Sequence, residues 1–352
     1  MRHGKRIGYI VVIGCLIVAA ICKSRAFVIG YSCSLVFLYL MDKPLWSKKA
    51  LLLSSCLLLW IGVLVIFIKS DSSAGRLFIY KIAFRVLEKN FPGGVGAGHF
   101  QREYLQCQAD YFRAGHYTTK ELLLADNISH VYNDYFELII EWGLVGILVL
   151  IVGFALLIYG LKGMSGTGLS IPGALVATQL IALLVAACFT HVFEIHYRDS
   201  RVSEARDLLK AGFMNESIKA YQTMYPRLNN DQAFLDGYAE ALIAHRDYRQ
   251  AVVILDRLND RWTSSVFIER TGDCYTQLGD YTDAEKAYLN AIYMVPHRFT
   301  SRYSLFNLYL QTHQTNKARW IGNSILTLPI KIPSPHIERI KQDVAARMPA
   351  VQ

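Results

Sequence analysis

The feature that most constrains the fold is the segment from His130 to Gly146, HVYNDYFELIIEWGLVG, together with the apolar run that follows it. The segment begins polar and ends apolar, and it continues without another charge through GILVLIVGFALLIYG. An uncharged apolar run of about 20 residues is long enough for a helix to cross the hydrocarbon core of a bilayer. The sequence therefore predicts a transmembrane helix at about 135–160.

A stripe of polar side chains leads into this helix. On a helical projection of 100° per residue, one face carries His130, Asn133, Asp134, Glu137 and Glu141. Charged groups at membrane depth are costly and usually face protein or a water-filled cavity, which favours a functional site. Alternatively, carboxylates near a helix start gain from the helix dipole and lie in the headgroup region. For the carboxylates alone, both interpretations stay open.

Four further apolar runs lie at about 7–22, 26–41, 50–68 and 172–194, whereas the sequence after about residue 196 is polar and mixed in charge. The first run follows MRHGKR and could be read as a signal peptide, but the closely spaced second and third runs favour multi-pass insertion. We therefore predict an all-α protein with a polytopic transmembrane helix bundle and a soluble domain. The membrane domain spans residues 1–195, with about five helices and an outer loop at 69–133, and the soluble domain spans 196–352.

Basic residues give the orientation. They precede the first run, separate the second from the third and separate the fourth from the fifth, at Arg2, Lys5, Arg6, Lys43, Lys48, Lys49 and Lys162. These segments fall on one side if five spans alternate, and the positive-inside rule places that side in the cytoplasm. The outer loop and residues 196–352 are then expected outside, which in a Gram-negative cell is the periplasm. Topology thus explains much of the net charge of +9, and no nucleic-acid-binding module is visible.

The seven cysteines are scattered and none forms a CxxC pair, so the sequence predicts neither a zinc site nor a disulfide framework.

The outer loop carries a predicted amphipathic helix, SSAGRLFIYKIAFRVLEKN. Its apolar face is formed by Ile79, Tyr80, Ala83, Val86 and Leu87, and its polar face by Lys81, Arg85, Glu88 and Lys89.

Arg76 projects onto the middle of the apolar face of this helix. An arginine directed at a packed surface needs an anionic partner, although in a first turn it can also extend to water.

The run GGVGAGHF after Pro92 follows a helix and not a strand, so it is no dinucleotide-binding fingerprint. Its glycines are expected to allow a sharp turn or a close approach of backbone. Residues 101–129 are polar and receive no assignment.

A repeat follows residue 196. The segment TGDCYTQLGDYTDAEKAYLNAIYMVP has the tetratricopeptide pattern of small and aromatic residues that lock two antiparallel helices, at Gly272, Tyr275, Gly279, Tyr281, Ala284, Tyr288, Ala291 and Pro296. Tyr275 and Tyr309 are 34 residues apart, as are Ala284 and Ala318. We therefore predict about four helical hairpins stacked as a short α-solenoid. Such arrays usually bind a peptide or protein on their concave face, and structural packing alone is the alternative.

Three pieces together resemble the C-terminal half of the membrane domain of the O-antigen ligase/polymerase family. Lys23-Ser24-Arg25 is similar to the family's Ser-Arg motif, and AGRLFIYKIAFRVLEKNFPGGVGAGHF resembles its arginine, amphipathic helix and glycine-rich turn. HVYNDYFELIIEWGLVG resembles its histidine and asparagine followed by a glutamate and Gly-Leu-Val-Gly. The resemblance covers roughly residues 20–165. Many members have a histidine directly before the asparagine, where this chain has Tyr132, and members usually have more spans.

The resemblance implies glycan transfer from a polyprenyl diphosphate carrier to a glycan, lipid or protein acceptor outside the bacterial cytoplasmic membrane, without a metal or other cofactor. It implies that Arg25 and Arg76 hold the diphosphate, since guanidinium groups bind such oxygens in pairs. His130 is the implied catalytic residue that accepts the acceptor's proton, and Asn133 is the implied substrate-binding neighbour. A second hypothesis is a non-catalytic, membrane-anchored tetratricopeptide scaffold of the cell envelope. A transporter is less favoured, because no inverted repeat is evident.

Overall fold

The computed structural model describes the backbone of residues 70–164 and 201–348 and the side chains of residues 74–152 and 201–348. Arg25 and the predicted spans at 7–22, 26–41, 50–68 and 172–194 lie outside these ranges. Within them, all regular secondary structure is helical, which confirms the all-α prediction for this part of the chain.

Four helices belong to the segment before the repeats: α1 (Ser70–Asn90), α2 (Phe100–Arg113), α3 (Thr119–Leu124) and α4 (Asp134–Met164). The repeat segment begins with α5 (201–210). It continues with α6 (Met214–Leu228), α7 (Gln232–Ala244), α8 (Tyr248–Trp262), α9 (Ser265–Leu278), α10 (Tyr281–Met294), α11 (Phe299–Gln311), α12 (Thr315–Thr327) and α13 (Pro335–Arg347). The described residues from Phe78 onward belong to one compact unit.

Helix α4 is the one helix among the described residues that is long and apolar enough to cross a membrane. Its stretch Asp134–Val152 has a mean hydropathy of 2.1, and only 17% of this stretch is buried. The exposed side chains along it are large and apolar, including Leu144, Leu148 and Ile151.

The faces of α1 agree with the prediction. Ile79, Ala83 and Val86 are buried, and Phe78 and Ile82 join them at the spacing that places residues on one side of a helix. The predicted polar side chains Lys81, Arg85, Glu88 and Lys89 are all exposed. The apolar face packs against α2, where the ring of Phe78 lies 6.0 Å from the rings of both Tyr111 and Phe112.

The segment 101–129, which the sequence left unassigned, forms α2 and α3. Helix α2 buries Phe100, Tyr104, Leu105 and Phe112 within a polar sequence. Helix α3 begins at a capping box, in which Thr118 and Glu121 each accept a backbone N–H of the other. Lys81 Nζ lies 2.6 Å from Glu121 Oε1, so an ion pair joins α1 to α3.

The predicted repeat is confirmed by the helices themselves. Helices α5 to α12 form four successive antiparallel hairpins, and α13 packs on the last of them. In the hairpin of α9 and α10, a Cβ on Gly272 would lie 2.8 Å from Tyr288 Cε1, and Ala284 is fully buried. The small residues of the motif thus allow the two helices to approach closely.

The helices before the repeats pack directly on the repeat helices. The amide of Gln108, fully buried on α2, donates to the Met294 carbonyl at the end of α10 (2.6 Å) and to the Asp126 carbonyl (3.1 Å). Gln101 Nε2 donates to the Thr263 carbonyl (2.8 Å). Asn127 exchanges two hydrogen bonds with Ser265. These contacts fix α2 and the following loop against the turns that join α8 to α9 and α10 to α11.

Candidate functional site

The centre of the site is a break in α4. Gly143 has φ 56° and ψ −130°, which interrupts the helical hydrogen bonds. The glycine-rich loop supplies the missing partners: the Val95 N–H donates to the Ile140 carbonyl (3.0 Å) and the Gly96 N–H to the Glu141 carbonyl (2.9 Å). The Leu144 N–H donates to the Pro92 carbonyl (2.9 Å). The backbone groups freed by the break therefore find hydrogen-bond partners in the glycine-rich loop.

The glycines of this loop allow a sharp turn and a close approach of backbone, as the sequence predicted. Gly94, Gly96 and Gly98 have φ of 79°, 90° and 73°, a region that favours glycine. A Cβ on Gly94 would lie 2.6 Å from the Gly143 nitrogen, so close backbone approach also requires glycine there.

Two carboxylates of the predicted polar stripe are held in place by backbone N–H groups. Glu141 Oε1 accepts the Gly98 N–H (2.8 Å). Glu137 Oε2 accepts the Val131 N–H (3.0 Å). Glu137 thus holds the loop that precedes α4 and Glu141 holds the glycine-rich loop, and both carboxylates are fixed hydrogen-bond acceptors.

His130 is paired with one of these carboxylates. Its Nδ1 lies 3.1 Å from Glu137 Oε1, and its side chain is 70% exposed whereas that of Glu137 is 18% exposed. A carboxylate only accepts hydrogen bonds, so Nδ1 is the donor. The arrangement holds an exposed imidazole in one orientation, and in its neutral form the other nitrogen, Nε2, is the acceptor.

Asn133 is the N-cap residue of α4. Its Oδ1 accepts the Phe136 N–H (3.1 Å), and its carbonyl accepts the Glu137 N–H (2.9 Å). Capping orients the residues that carry the site, and it leaves the Asn133 amide nitrogen available. Tyr132, where many family members have histidine, is 62% exposed and has φ 60°, a conformation that non-glycine residues seldom adopt.

Of the two predicted arginines, the structure describes only Arg76. Arg76 lies in α1 and its side chain is exposed. Arg25 lies outside the described residues, so its proposed role stays a prediction. No group of three or more His, Cys, Asp or Glu among the described residues could hold a metal ion.

A cavity of about 390 Å³ opens beside His130. Glu137, Glu141 and Gln101 line one side. The other side is formed by the repeat helices, through Asn230 and Gln232 at the start of α7 and Arg261 and Trp262 at the end of α8. Sequence reasoning missed these four residues, because they lie at helix ends and in a turn between repeats, where the sequence carries no motif.

The guanidinium of Arg261 is the cavity's cationic side chain. It lies 5.5 Å from the centre of the Trp262 ring and directly against Gly98, where a Cβ would lie 2.8 Å from Nη2. Among the described residues it makes no hydrogen bond or ion pair. The cavity therefore presents a donor group without a hydrogen-bond partner among the described residues, together with two carboxylates that backbone N–H groups hold in place.

Comparison with protein families identifies the first part of the chain. Residues 4–151 match the model of the O-antigen ligase family. The match confirms the resemblance drawn from the motifs, and at a coarse level it indicates glycan transfer. It includes Arg25, Arg76, His130 and Asn133, together with the whole glycine-rich loop. A comparison with curated proteins gave no match.

Solved structures similar to part of the chain include proteins with TPR or TPR-like repeats. The similar structures also include MamA residues 41 to the end from Desulfovibrio magneticus RS-1, at 18% identity and a TM-score of 0.35, which covers 44% of this chain and 92% of that chain. A putative kinesin light chain with TPR-like repeats from Podosopora anserina has 15% identity and a TM-score of 0.34, covering 44% and 93%. YrrB, a TPR protein with an unusual peptide-binding site, has 8% identity and a TM-score of 0.32, covering 43% and 84%.

Proposed function

We propose that this chain transfers a glycan from a polyprenyl diphosphate carrier to an acceptor hydroxyl at the outer face of the bacterial cytoplasmic membrane. The observation that carries the proposal is the pairing of His130 with Glu137 at the edge of a cavity, within a segment that matches the O-antigen ligase family. An exposed histidine oriented by a carboxylate is the arrangement that general-base catalysis uses.

The proposed step is a displacement at the first sugar carbon. The acceptor oxygen forms a bond to that carbon while the bond to the carrier's phosphate oxygen breaks. The acceptor proton passes to Nε2 of His130, and the electron pair of the broken bond leaves on the diphosphate. Arg25 and Arg76 are proposed to hold that diphosphate, because fixed guanidinium groups stabilise the charge that develops on it.

The proposed setting is a multi-pass membrane domain over residues 1–195 with a periplasmic repeat domain over 196–352. The exposed apolar side chains of α4 support membrane contact for this helix. A reporter test of topology is direct: alkaline phosphatase fused after residue 200 is expected to be active. Activity of a cytoplasmic reporter at that position instead would contradict the orientation and move His130 to the wrong side of the membrane.

The test of the function is transfer in membranes supplied with carrier-linked glycan. Arg76→Lys is expected to impair transfer, because a point charge does not reproduce two parallel hydrogen bonds. Arg85→Lys, on the exposed face of the same helix, is the matched control and is expected to retain transfer. Equal transfer by both variants would contradict the role of Arg76.

A non-catalytic scaffold is the second candidate, favoured by the four stacked hairpins, an architecture that commonly binds protein partners. The two functions differ in one measurement. A scaffold tolerates His130→Ala without loss of glycan assembly in cells, whereas the proposed enzyme does not.

A further inference from the structure

The cavity beside His130 is built from two parts of the chain that lie far apart in sequence. Gln101, His130, Glu137 and Glu141 form one side, and residues of α7 and α8 form the other. Buried hydrogen bonds, including that from Gln108 to the Met294 carbonyl, hold the two sides together. Residues of the repeat domain therefore form part of the cavity lining.

The chemistry of the walls indicates the class of ligand. The Gln232 amide can both donate and accept, and the Arg261 guanidinium donates. Asn230 offers its amide N–H groups, because its Oδ1 already accepts from Arg257 (2.9 Å). Gln101 offers its amide oxygen, because its Nε2 donates to the Thr263 carbonyl, and Glu137 and Glu141 accept. A cavity of about 390 Å³ is within the range of small-ligand sites. A dense mixture of donors and acceptors suits a ligand with many hydroxyl groups, each of which can both donate and accept.

The charge of the walls argues against a diphosphate in this cavity. Glu137 and Glu141 both face the same space, and like charges at close range repel an anion. A neutral saccharide meets no such repulsion. The guanidinium of Arg261 can donate to two neighbouring hydroxyl oxygens at once, because its N–H groups have a fixed planar geometry.

We propose that the repeat domain completes a saccharide subsite, in which Arg261, Asn230 and Gln232 bind sugar hydroxyls of the glycan beside His130. The identification of the ligand as a saccharide rests in part on the proposed function. The subsite itself rests on the lining and charge of the cavity.

The experiment measures binding to the full chain in detergent micelles by equilibrium dialysis. The probe is the oligosaccharide released by mild acid from the host's polyprenyl carrier, and inorganic diphosphate is the competitor. Arg261→Gln is expected to weaken oligosaccharide binding by about tenfold or more, the loss expected for hydrogen bonds from a charged donor. Gln232→Ala, at an exposed position at the start of α7, is expected to weaken it less.

Arg249→Gln is the matched control, since Arg249 is exposed on the same helix as Arg261 and does not line the cavity. It is expected to bind as the wild-type chain does. Absence of oligosaccharide binding by the wild-type chain, or equal binding by the Arg261 and Arg249 variants, would overturn the subsite. Competition by diphosphate that depends on Arg261 would also overturn it, in favour of an anion site.

Transfer measured on the same variants separates the two proposals. Binding that depends on Arg261, in a chain with no transfer activity, supports the subsite and contradicts the proposed function. Active transfer with no change in either binding or rate on Arg261→Gln contradicts the subsite alone.

Discussion

Gly94 and Gly143 each occupy space that a side chain on the other would need. A Cβ on Gly94 would lie 2.6 Å from the Gly143 nitrogen, and a Cβ on Gly143 would lie 2.8 Å from the Gly94 nitrogen. Both residues have positive φ, of 79° and 56°. The break in α4 and the loop that fills it are therefore parts of one structure, and neither forms without glycine at both positions.

Gly143→Ala is expected to release the loop from α4. The substitution forces an alanine into a conformation that costs about 1–3 kcal/mol, and the added Cβ also collides with the backbone of Pro92 to Gly94. Limited proteolysis in membranes should show faster cleavage in the loop at 92–98.

Gly115→Ala is the matched control for this prediction. Gly115 has φ 79°, but a Cβ there meets nothing within 4 Å. Gly115→Ala forces an alanine into a similarly unfavourable conformation but causes no collision. Cleavage of this variant at 92–98 should therefore stay at the wild-type rate. Similar cleavage of the Gly115 and Gly143 variants would show that close approach is unimportant.

Gln108→Leu is expected to loosen the contact between α2 and the repeats. The substitution leaves the buried Met294 carbonyl without the donor it has at 2.6 Å, and a lost partner of this kind costs about 1–3 kcal/mol. Thermal unfolding of the full chain in detergent should shift to lower temperature.

Gln106→Leu, two residues earlier on α2, tests whether that shift is specific. The side chain of Gln106 is half-buried and makes no hydrogen bond among the described residues, so its replacement should change the unfolding midpoint little. A larger shift for Gln106→Leu than for Gln108→Leu would contradict the role of the Gln108 amide.

The repeats and α1 could be predicted from the sequence because their information is local. The motif around Gly272 and Ala284 specifies a helical hairpin through contacts within 35 residues, and the faces of α1 follow from its own periodicity. The stripe from His130 to Glu141 was recognised for the same reason.

The contact between the loop segment and the repeats could not be predicted in this way. It depends on single polar residues such as Gln108 and Asn127, whose partners lie 186 and 138 residues away in the chain. A glutamine in a polar helix gives no sign that it is buried. Arg261 could not be predicted as a site residue either, because only the folded chain brings it beside His130.

The ion pair between Lys81 and Glu121 predicts a pH dependence of stability. Burial alone would raise the pKa of Glu121, but hydrogen bonds from Lys81 and the Thr118 N–H outweigh it and lower the pKa from 4.5 to about 2. Because folding lowers this pKa, the carboxylate contributes stability above about pH 4.5 that is lost as the pH falls toward 2. The midpoint temperature of thermal unfolding should therefore decrease as the pH is lowered from 6 to 3. Glu121→Gln should make this decrease smaller. Glu88→Gln, on the exposed face of α1, should leave the slope unchanged.

The pairing of His130 with Glu137 predicts separate effects on kcat and KM. If His130 accepts the proton of the acceptor, His130→Ala should lower kcat by about 10²- to 10⁴-fold and change KM for the carrier-linked glycan little, because a base acts in the transition state. Glu137→Gln keeps an acceptor for the Val131 N–H but can present an amide N–H to Nδ1, so it should lower kcat by a smaller factor. His116→Ala is the control, since His116 is exposed in the loop before α3 and does not line the cavity. A rise in KM for His130→Ala with unchanged kcat would assign His130 to binding. A Glu137→Gln variant as active as the wild-type chain would show that orientation of the imidazole by this carboxylate is not part of the mechanism.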